Sequence, residues 1–502
     1  MTSNASVQRA RALWDGHWPK AVALFVFALA LWAQTDALVG VFYDDGIYVT
    51  LAKALAEGEG YRSIHLPGAP AAVHYPPLYP AVLALLWRAW PDFPANVVLF
   101  QLFDALVLGA AAWVIAVHSR RSRLPVSVSV PALVLGFSAF PLLTIVGVRF
   151  SEPVFLLLLA GALLAADAER VNARGAGVAG LLAGLATLTR SVGLAAVFGI
   201  PVALWLRGAK KSALTAFLVS TFVVLPWVVW LSIHGGDIDP RIAANYGTYG
   251  QFAGQAGLSG VLSGLDLRAL APLGRLLLPT LPWVLTAALT VLLGLTLVVG
   301  GVTLARRVPA LVASLLPYFA IVTLWPYTPD RFVWVLLPWV GLLGAAAAVR
   351  AWQWGWPARS ILLVLAVVLV IGFGRREVRS LGDRGFALTA ERTSAPFRLL
   401  TTAIRTGTPE GAVVASDGEA LVYLYTDRRT VPLELYRLRG RDFESLSAEV
   451  TVEFFCEQDV THVAASVPAP LPNDLAAARE STVVPLFRVT KGPSLFEFRC
   501  SQ

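Results

Sequence analysis

Long apolar segments recur along the first three quarters of the chain, from residue 20 to about residue 374. Many of them approach the ~20 residues that a helix needs to cross the hydrocarbon core of a membrane. Of the 502 residues, 57% are hydrophobic and only 14% are charged. Soluble domains carry roughly 25% charged residues, and a soluble core could not bury so many apolar segments. The sequence therefore predicts a polytopic α-helical membrane protein.

We predict about eleven transmembrane helices from these segments. In chain order they cover residues 20–40, 97–118, 126–148, 153–168, 175–189, 192–206, 212–233, 276–303, 308–325, 332–349 and 359–374. The fifth and sixth are short and meet at a hinge around Arg190. Residues 175–206 could instead form one long tilted helix, which would reverse the sidedness of every later segment.

Basic residues favour the first of these two topologies, because short cytoplasmic loops collect Lys and Arg. If residues 175–206 form a hairpin, the basic clusters at 120–123, 207–211 and 306–307 all fall on the side of the N-terminus. If they form one helix, the last two clusters lie outside. We therefore predict a cytoplasmic N-terminus and a multi-pass protein with its longest loops outside.

The extracytoplasmic parts are then residues 41–96, residues 234–275 and the C-terminal domain. The first helix has a basic start and an Ala-rich end, as a signal peptide has. An acidic pair follows it directly, and the later spans need it as a neighbour. We interpret this helix as an uncleaved anchor.

Charges and turns return over residues 375–502, which we predict to be a small α/β domain attached to the membrane region of residues 1–374. Predicted strands lie at 411–416, 429–432, 461–466 and 495–498, and predicted helices at 420–425 and 450–456. Both cysteines of the chain, Cys456 and Cys500, lie in this domain. They suit a disulfide in an oxidising compartment, although two unrelated thiols fit the sequence equally well.

Two adjacent acids, Asp44 and Asp45, come just past the first apolar helix. Carboxylates in or beside a membrane are costly and usually mark chemistry or transport. The alternative is that they only flank a helix among the lipid headgroups. Residues 47–56 then repeat apolar positions at helical spacing, which predicts a short amphipathic helix at the interface.

Several motifs follow the acidic pair at the predicted outer face. They are Pro76-Pro77-Leu78, Arg149-Phe150-Ser151-Glu152-Pro153, Gly184–Arg190, and Asp330-Arg331-Phe332 with Leu337-Pro338. In this order they resemble the GT-C membrane glycosyltransferases. The most similar members are the protein O-mannosyltransferases, the lipid A aminoarabinose transferases and related bacterial polyprenol-dependent sugar transferases. The resemblance covers most of residues 20–350, and no single motif is specific.

The resemblance implies an inverting transferase in the bacterial plasma (inner) membrane. Such an enzyme moves a sugar from a polyprenyl-phosphate lipid to an outer acceptor, which is a glycan, a lipid or a protein. Asp44 aligns with the catalytic base of the family, and Asp45 would orient the acceptor or tune Asp44. Glu152 is the candidate second acid, although a Ser-Glu-Pro helix start explains it equally well.

Cations are needed to neutralise the phosphate of the leaving lipid. Arg331 is the first candidate, followed by Arg190, Arg149 and His74, which stands beside the position where relatives often carry Lys. Arg190 could instead only snorkel to the interface.

Aromatic residues of the outer loops complete the expected site. Tyr48, Tyr75 and Tyr246 are candidate substrate contacts, although the stretch around Tyr246 is as easily a plain solvent loop. Asp44, Asp45 and Glu152 could also hold Mg²⁺ or Mn²⁺, because these ions prefer oxygen ligands, but nothing in the sequence requires a metal.

Other partners and functions are less favoured. The chain has no Walker-type or Gly-x-Gly-x-x-Gly loop and no cluster with zinc spacing, so we expect neither ATP nor dinucleotides, and we expect no nucleic acid. A transporter or flippase of a lipid-linked or anionic substrate is the main alternative to a transferase. Transporters often show internal repeats with broken helices, and this sequence shows no such symmetry. A scaffold protein with a dead site is a third interpretation.

Overall fold

Helices occupy most of the membrane region of the computed structural model, which describes residues 2–251, 282–325, 330–439, 442–468 and 481–500. In chain order these helices are α1 (Thr2–Trp32), α2 (Asp44–Glu57), α3 (Leu78–Ala89), α4 (Val97–Ser119), α5 (Val126–Ser138), α6 (Phe140–Val146), α7 (Glu152–Ala166), α8 (Ala173–Thr189), α9 (Leu194–Leu206), α10 (Lys210–His234), α11 (Ala243–Tyr246), α12 (Trp283–Leu304), α13 (Pro309–Leu324), α14 (Asp330–Trp334), α15 (Leu337–Trp352) and α16 (Trp356–Leu369). Parts of the predicted span 276–303 and of the predicted loop 234–275 lie outside the described residues.

Membrane-spanning length is reached by three helices of the described chain, α4, α10 and α12. The bent pair α5–α6 would add a fourth span. The remaining predicted spans contain shorter apolar helices, so the count of eleven stays a prediction. The first predicted span was too long, because α1 ends at Trp32 and the chain runs without helix up to Asp44.

A bend of 55° divides the predicted span 126–148 into α5 and α6. Ala139 is extended at the break, and Pro141 lies in the first turn of α6. Pro141 has no N–H to donate to the carbonyl of Phe137, one turn earlier, and its ring would clash with that carbonyl in a continuous helix. The sequence-based expectation of one continuous helix was wrong at this point.

The hairpin at residues 175–206 is confirmed. Helix α8 ends at Thr189 and α9 begins at Leu194. Arg207, just after α9, donates hydrogen bonds to the carbonyls of Ala166 and Ala168, which lie before α8. The chain therefore leaves one end of the bundle, turns at Arg190 and returns to its starting end.

The C-terminal region combines helices with a mixed sheet. Its elements are α17 (Arg375–Gly382), α18 (Gly385–Gly407), β1 (Val413–Ser416), α19 (Glu419–Thr426), β2 (Arg429–Pro432), β3 (Tyr436–Arg439), β4 (Asp442–Ser445), α20 (Ala448–Glu457), β5 (His462–Ala465), β6 (Ser481–Arg488) and β7 (Ser494–Cys500). The sheet order is β2-β1-β5-β7-β6. Strand β1 is parallel to β2 and β5, whereas β7 is antiparallel to β5 and β6. Strands β3 and β4 form a separate hairpin.

A disulfide joins Cys456 at the end of α20 to Cys500 on β7. The predicted helices 420–425 and 450–456 and the four predicted strands all have counterparts here. The sequence analysis missed α17, α18, β3, β4 and β6.

One hydrophobic core spans the boundary between the membrane region and this domain. Ile47 and Tyr79 of the first long loop share it with Val431 and Phe454 of the C-terminal domain. We call this side of the bundle, where residues 38–96 meet the domain, the domain end. The candidate site lies there.

Candidate active site

A cavity of about 290 Å³ opens at the domain end, where the start of α2, the end of α8 and α14 come together. Its lining is rich in aromatic and charged side chains: Tyr43, Asp44, Tyr48, His74, Tyr75, Pro76, Thr189, Arg190, Ser191, Ala244, Asn245, Tyr249, Trp325, Arg331 and Phe332. These residues come from five separate stretches of the sequence. The fold therefore brings Asp44, Arg190 and Arg331 to one cavity, as the sequence analysis expected.

Arg331 connects the two candidate acids. Its Nη1 donates to Asp44 Oδ2 at 2.6 Å, and its Nε donates to Glu152 Oε1 at 2.8 Å. Arg190 Nη1 lies 2.9 Å from the same Glu152 oxygen. Two guanidinium groups thus share one carboxylate oxygen, which keeps both cations together beside the cavity.

Aromatic rings pack against both arginines of this cluster. The Arg331 guanidinium lies 3.5 Å from the Phe150 ring centroid, and Arg190 lies 4.8 Å from that of Phe332. Such cation–aromatic contacts hold a planar cation in place without using its N–H donors. These ring contacts therefore leave the N–H groups of both arginines to their polar partners.

Asp44 is the first residue of α2, and its second oxygen accepts a hydrogen bond of 2.6 Å from the Tyr75 hydroxyl. Burial by itself would raise the pKa of Asp44, but the Arg331 guanidinium and the Tyr75 hydroxyl outweigh it and hold the pKa below its ordinary value. Asp44 is therefore ionised and poorly basic while Arg331 is bound to it.

Asp45 does not reach the cavity. Its carboxylate accepts the backbone N–H groups of Gly40 at 2.6 Å and Phe42 at 3.0 Å, and the residue is only 1% exposed. It closes the turn in which Tyr43 takes a positive φ of 67°. The expectation that Asp45 orients the acceptor does not fit this position, since its acceptor oxygens are already occupied by the turn.

Glu152 begins α7 and is followed by Pro153, so the helix-start interpretation holds for its backbone. Its side chain is 1% exposed and points to the two arginines. Its other oxygen, Oε2, is buried and has no hydrogen-bond partner among the described residues. The helix-start interpretation is therefore confirmed, and the role of Glu152 as a second acid stays a prediction.

Arg149 lies away from the cavity. It is 3% exposed, its Nε is 3.4 Å from Asp104 Oδ2, and its Nη2 donates to Gln34. The partner of Arg149 in the structure is thus Asp104 on α4, whereas the sequence analysis expected Arg149 to contact the donor phosphate. An acid inside a predicted span, Asp104, was the available signal, and it was overlooked.

The remaining predicted residues divide into two groups. His74, Tyr48 and Tyr75 line the cavity, and His74 Nδ1 lies 2.8 Å from the carbonyl of Gly247. Tyr246 lies behind the wall, where its hydroxyl donates to Glu419 Oε1 at 3.0 Å. Glu419 belongs to the C-terminal domain, in which the sequence analysis saw no site residue.

A metal ion does not fit the three acids that could have held one. In the part of the chain that the structure describes, no three His, Cys, Asp or Glu side chains converge as ligands. Asp45 turns to the backbone, and Asp44 and Glu152 are bridged by Arg331. These three acids therefore do not form a common ligand set.

Comparison with solved structures shows which fold presents this cavity. The apo structure of ArnT from Cupriavidus metallidurans superposes with a TM-score of 0.57 and 15% identity, over 97% of this chain and 98% of that one. The archaeal oligosaccharyltransferase AglB from Archaeoglobus fulgidus, in complex with an inhibitory peptide and a dolichol-phosphate, gives 0.56 and 12%, over 97% and 75%. The chain has the GT-C fold.

A second structure of the Archaeoglobus fulgidus oligosaccharyltransferase carries a tethered acceptor peptide with an NVT sequon. It aligns with a TM-score of 0.54 and 12% identity, over 98% of this chain and 75% of that one. The sequence itself matches no family model and no curated protein. At these identities the similarity to GT-C structures establishes the fold only. The chemistry has to be inferred from the residues that line the cavity.

Proposed function

We propose that this protein is a GT-C glycosyltransferase that moves a sugar from a polyprenyl-phosphate donor to an acceptor outside the membrane, with inversion at the sugar carbon. The observation that supports this most is a carboxylate, Asp44, and two arginines, Arg190 and Arg331, facing one cavity. A structure of the same fold contains a dolichol-phosphate, which is consistent with a lipid phosphate as the leaving group.

In the proposed reaction the acceptor oxygen attacks the anomeric carbon of the donor. The bond from that carbon to the phosphate oxygen breaks, and the polyprenyl phosphate leaves with the bonding electrons. The proton of the acceptor passes to Asp44, as carboxylates accept it in other sugar-transfer reactions. Arg331 and Arg190 stabilise the negative charge that grows on the phosphate.

Donor binding would also prepare the base. Arg331 is the cation that keeps the pKa of Asp44 low in this structure. A donor phosphate would compete with Asp44 for Arg331, and its own negative charge would make ionised Asp44 less stable. The pKa of Asp44 would then rise, so that the carboxylate gains basicity when the donor is in place.

Glu152 would act as the fixed counter-charge of the two arginines. It contacts both of them through one buried oxygen and does not line the cavity. It therefore keeps the guanidinium groups in position whether or not the phosphate is bound. The extracytoplasmic location of this end of the bundle rests on the distribution of Lys and Arg in the sequence.

The test is transfer of a radiolabelled sugar from polyprenyl-phosphate donors by the purified full-length protein. We expect Asp44→Asn to lower turnover by about 10²–10⁴-fold, because it removes the base and little volume. Asp36→Asn is the matched control, since Asp36 is an exposed acid of the same loop that does not line the cavity.

Near-normal turnover by Asp44→Asn would contradict the role of Asp44. If the wild type moved the intact lipid-linked sugar between leaflets of a proteoliposome without transferring the sugar, the protein would be a flippase and the proposed reaction would be wrong.

A further inference from the structure

The turn that presents Asp44 rests directly on a helix of the C-terminal domain. A Cβ atom added at Gly40 would lie 2.6 Å from Leu421 Cβ, and one added at Gly46 would lie 3.0 Å from Ala420 Cβ. Gly40 also has a φ of +104°, a conformation that glycine adopts without strain. Two glycines therefore let α19 approach the backbone on both sides of the Asp44–Asp45 pair.

The first residue of that helix, Glu419, reaches into the membrane region. It is 2% exposed, and its Oε1 accepts a hydrogen bond of 3.0 Å from the hydroxyl of Tyr246. On the other side of this hydroxyl, His65 Nε2 lies 2.9 Å away. Because Tyr246 gives its proton to Glu419, His65 is the donor toward the Tyr246 oxygen. Tyr246 is thus held from two sides.

Tyr246 closes the short helix α11, whose preceding residues Ala244 and Asn245 line the cavity. Its ring also lies 6.3 Å from that of Tyr43, the residue directly before Asp44. Any shift of Tyr246 would therefore move one wall of the cavity and the neighbour of the proposed base.

We propose that Glu419 of the C-terminal domain is a positioning residue for the sugar-transfer site, which acts by holding Tyr246 and through it the cavity wall and the turn before Asp44. The proposal rests on the function proposed above. It makes the C-terminal domain a working part of the site, so that the membrane region alone would hold an incomplete cavity.

The electrostatic surroundings make this contact sensitive to pH. Burial raises the pKa of Glu419 to about 7. The groups that face it are Tyr43 and Tyr246 from the membrane region, His65 behind Tyr246, and Asp417 and Tyr436 from its own domain. As pH falls through this value, Glu419 takes up a proton and becomes a weaker acceptor for Tyr246. The transfer rate should fall with it.

The test compares Glu419→Gln with Asp427→Asn in the full-length protein. Asp427 directly follows the same helix and pairs with Lys53 at 3.1 Å across the same interface, but its side chain is 76% exposed. Its left-handed backbone, φ 55°, suits asparagine. Each variant thus removes one charge from the interface. Glu419→Gln removes it from the buried centre of the contact, and Asp427→Asn removes it from the exposed edge.

We expect Glu419→Gln to lower kcat about tenfold, which is the typical cost of weakening one hydrogen bond to a charged group, and to change the donor KM little. The rate profile of the wild type should bend near pH 7, where Glu419 titrates, and Glu419→Gln should lose that bend. Asp427→Asn should keep the wild-type kcat and profile. A Glu419→Gln enzyme with both the kcat and the pH profile of the wild type would overturn the proposal.

Hydrogen exchange without donor gives a readout that does not need transfer. Peptides covering residues 41–47 and 243–250 should exchange about tenfold faster in Glu419→Gln than in Asp427→Asn. Equal exchange would overturn the positioning role. A wild type that transfers no sugar would contradict the proposed function instead, and the exchange comparison would still decide the role of Glu419.

Discussion

Two groups of buried charges lie at opposite ends of the helix bundle, and their hydrogen bonding differs. At the end away from the domain, Asp167 Oδ2 is 2.9 Å from His118 Nε2, and its Oδ1 accepts the N–H of Ala310 at 2.7 Å. At the domain end, Glu152 offers one oxygen to two arginines, while its Oε2 has no hydrogen-bond partner in the described chain.

The comparison separates charges that hold the fold from charges that are available to a ligand. Burying an ion is costly unless its remaining valences are satisfied. Asp167 meets this condition, with His118 and the start of α13 as partners. The cluster of Glu152, Arg190 and Arg331 at the domain end does not meet this condition, because Glu152 Oε2 lacks a partner in the described chain. This cluster lies beside a cavity.

The adjacent residues Asp44 and Asp45 show the same contrast. Asp45 is 1% exposed, and each of its carboxylate oxygens accepts a hydrogen bond from a backbone N–H group. The side chain of Asp44 is 25% exposed and lines the cavity. Two neighbouring residues of the same type are therefore placed differently, one within a backbone turn and the other beside the cavity.

Asp167→Ala should destabilise the protein by about 3–5 kcal/mol, because it leaves His118 and the N–H of Ala310 buried without their partner. Thermal denaturation of the purified protein in detergent measures this. Glu169→Ala, two residues on and exposed, is the control. A folded Asp167→Ala that is as stable as the control would refute a structural role for the closed cluster.

The pH dependence of stability should carry the signature of Asp45. Burial raises its pKa from 3.8 to about 6. The folded protein therefore holds this proton more tightly than the unfolded chain, and stability falls as pH rises through this interval, by at most about 3 kcal/mol.

Asp45→Asn should flatten that slope, as followed by the denaturation temperature of the two proteins from about pH 4 to about pH 6. Asp36→Asn, an exposed acid of the same loop, should leave the slope unchanged. An Asp45→Asn protein with the wild-type slope would show that another group is responsible.

Arg331→Lys should raise the donor KM by roughly tenfold, because lysine keeps the charge but loses the planar fork and one or more charged hydrogen bonds. Titration of the donor at fixed acceptor measures it, and Arg62→Lys, an exposed arginine outside the cavity, is the control. An unchanged KM and kcat would remove Arg331 from the donor site and leave Arg190 as the phosphate contact to test.

The sequence predicted those residues of the candidate site whose location follows from the side of the membrane on which they lie. Asp44, Arg190 and Arg331 each stand at the end of an apolar segment, and a charge map places those ends on one side of the membrane. The same map favoured the hairpin at Arg190. The signal for the bend at Ala139 was also present, because Pro141 lies inside the predicted span.

Other features depend on contacts that a single sequence does not encode locally. Helix 420–425 was predicted, but its periodicity could not tell that Glu419 would meet Tyr246, 173 residues earlier. The same is true of Asp45, since a carboxylate that closes a turn and one that faces a cavity look alike in sequence. Side-chain direction at a helix start is set by the local turn, here the positive φ of Tyr43.

The packing of α19 against Gly40 and Gly46 also has a consequence for the order of events in the cell. A ribosome adds about 5–20 residues per second, so Glu419 is made on the order of half a minute after Asp44. During that interval the acid is already in place beside the membrane, but the turn that carries it lacks its support. On the proposed function, a nascent chain would therefore not transfer sugar at the full rate until its last quarter has been translated and delivered to the same side.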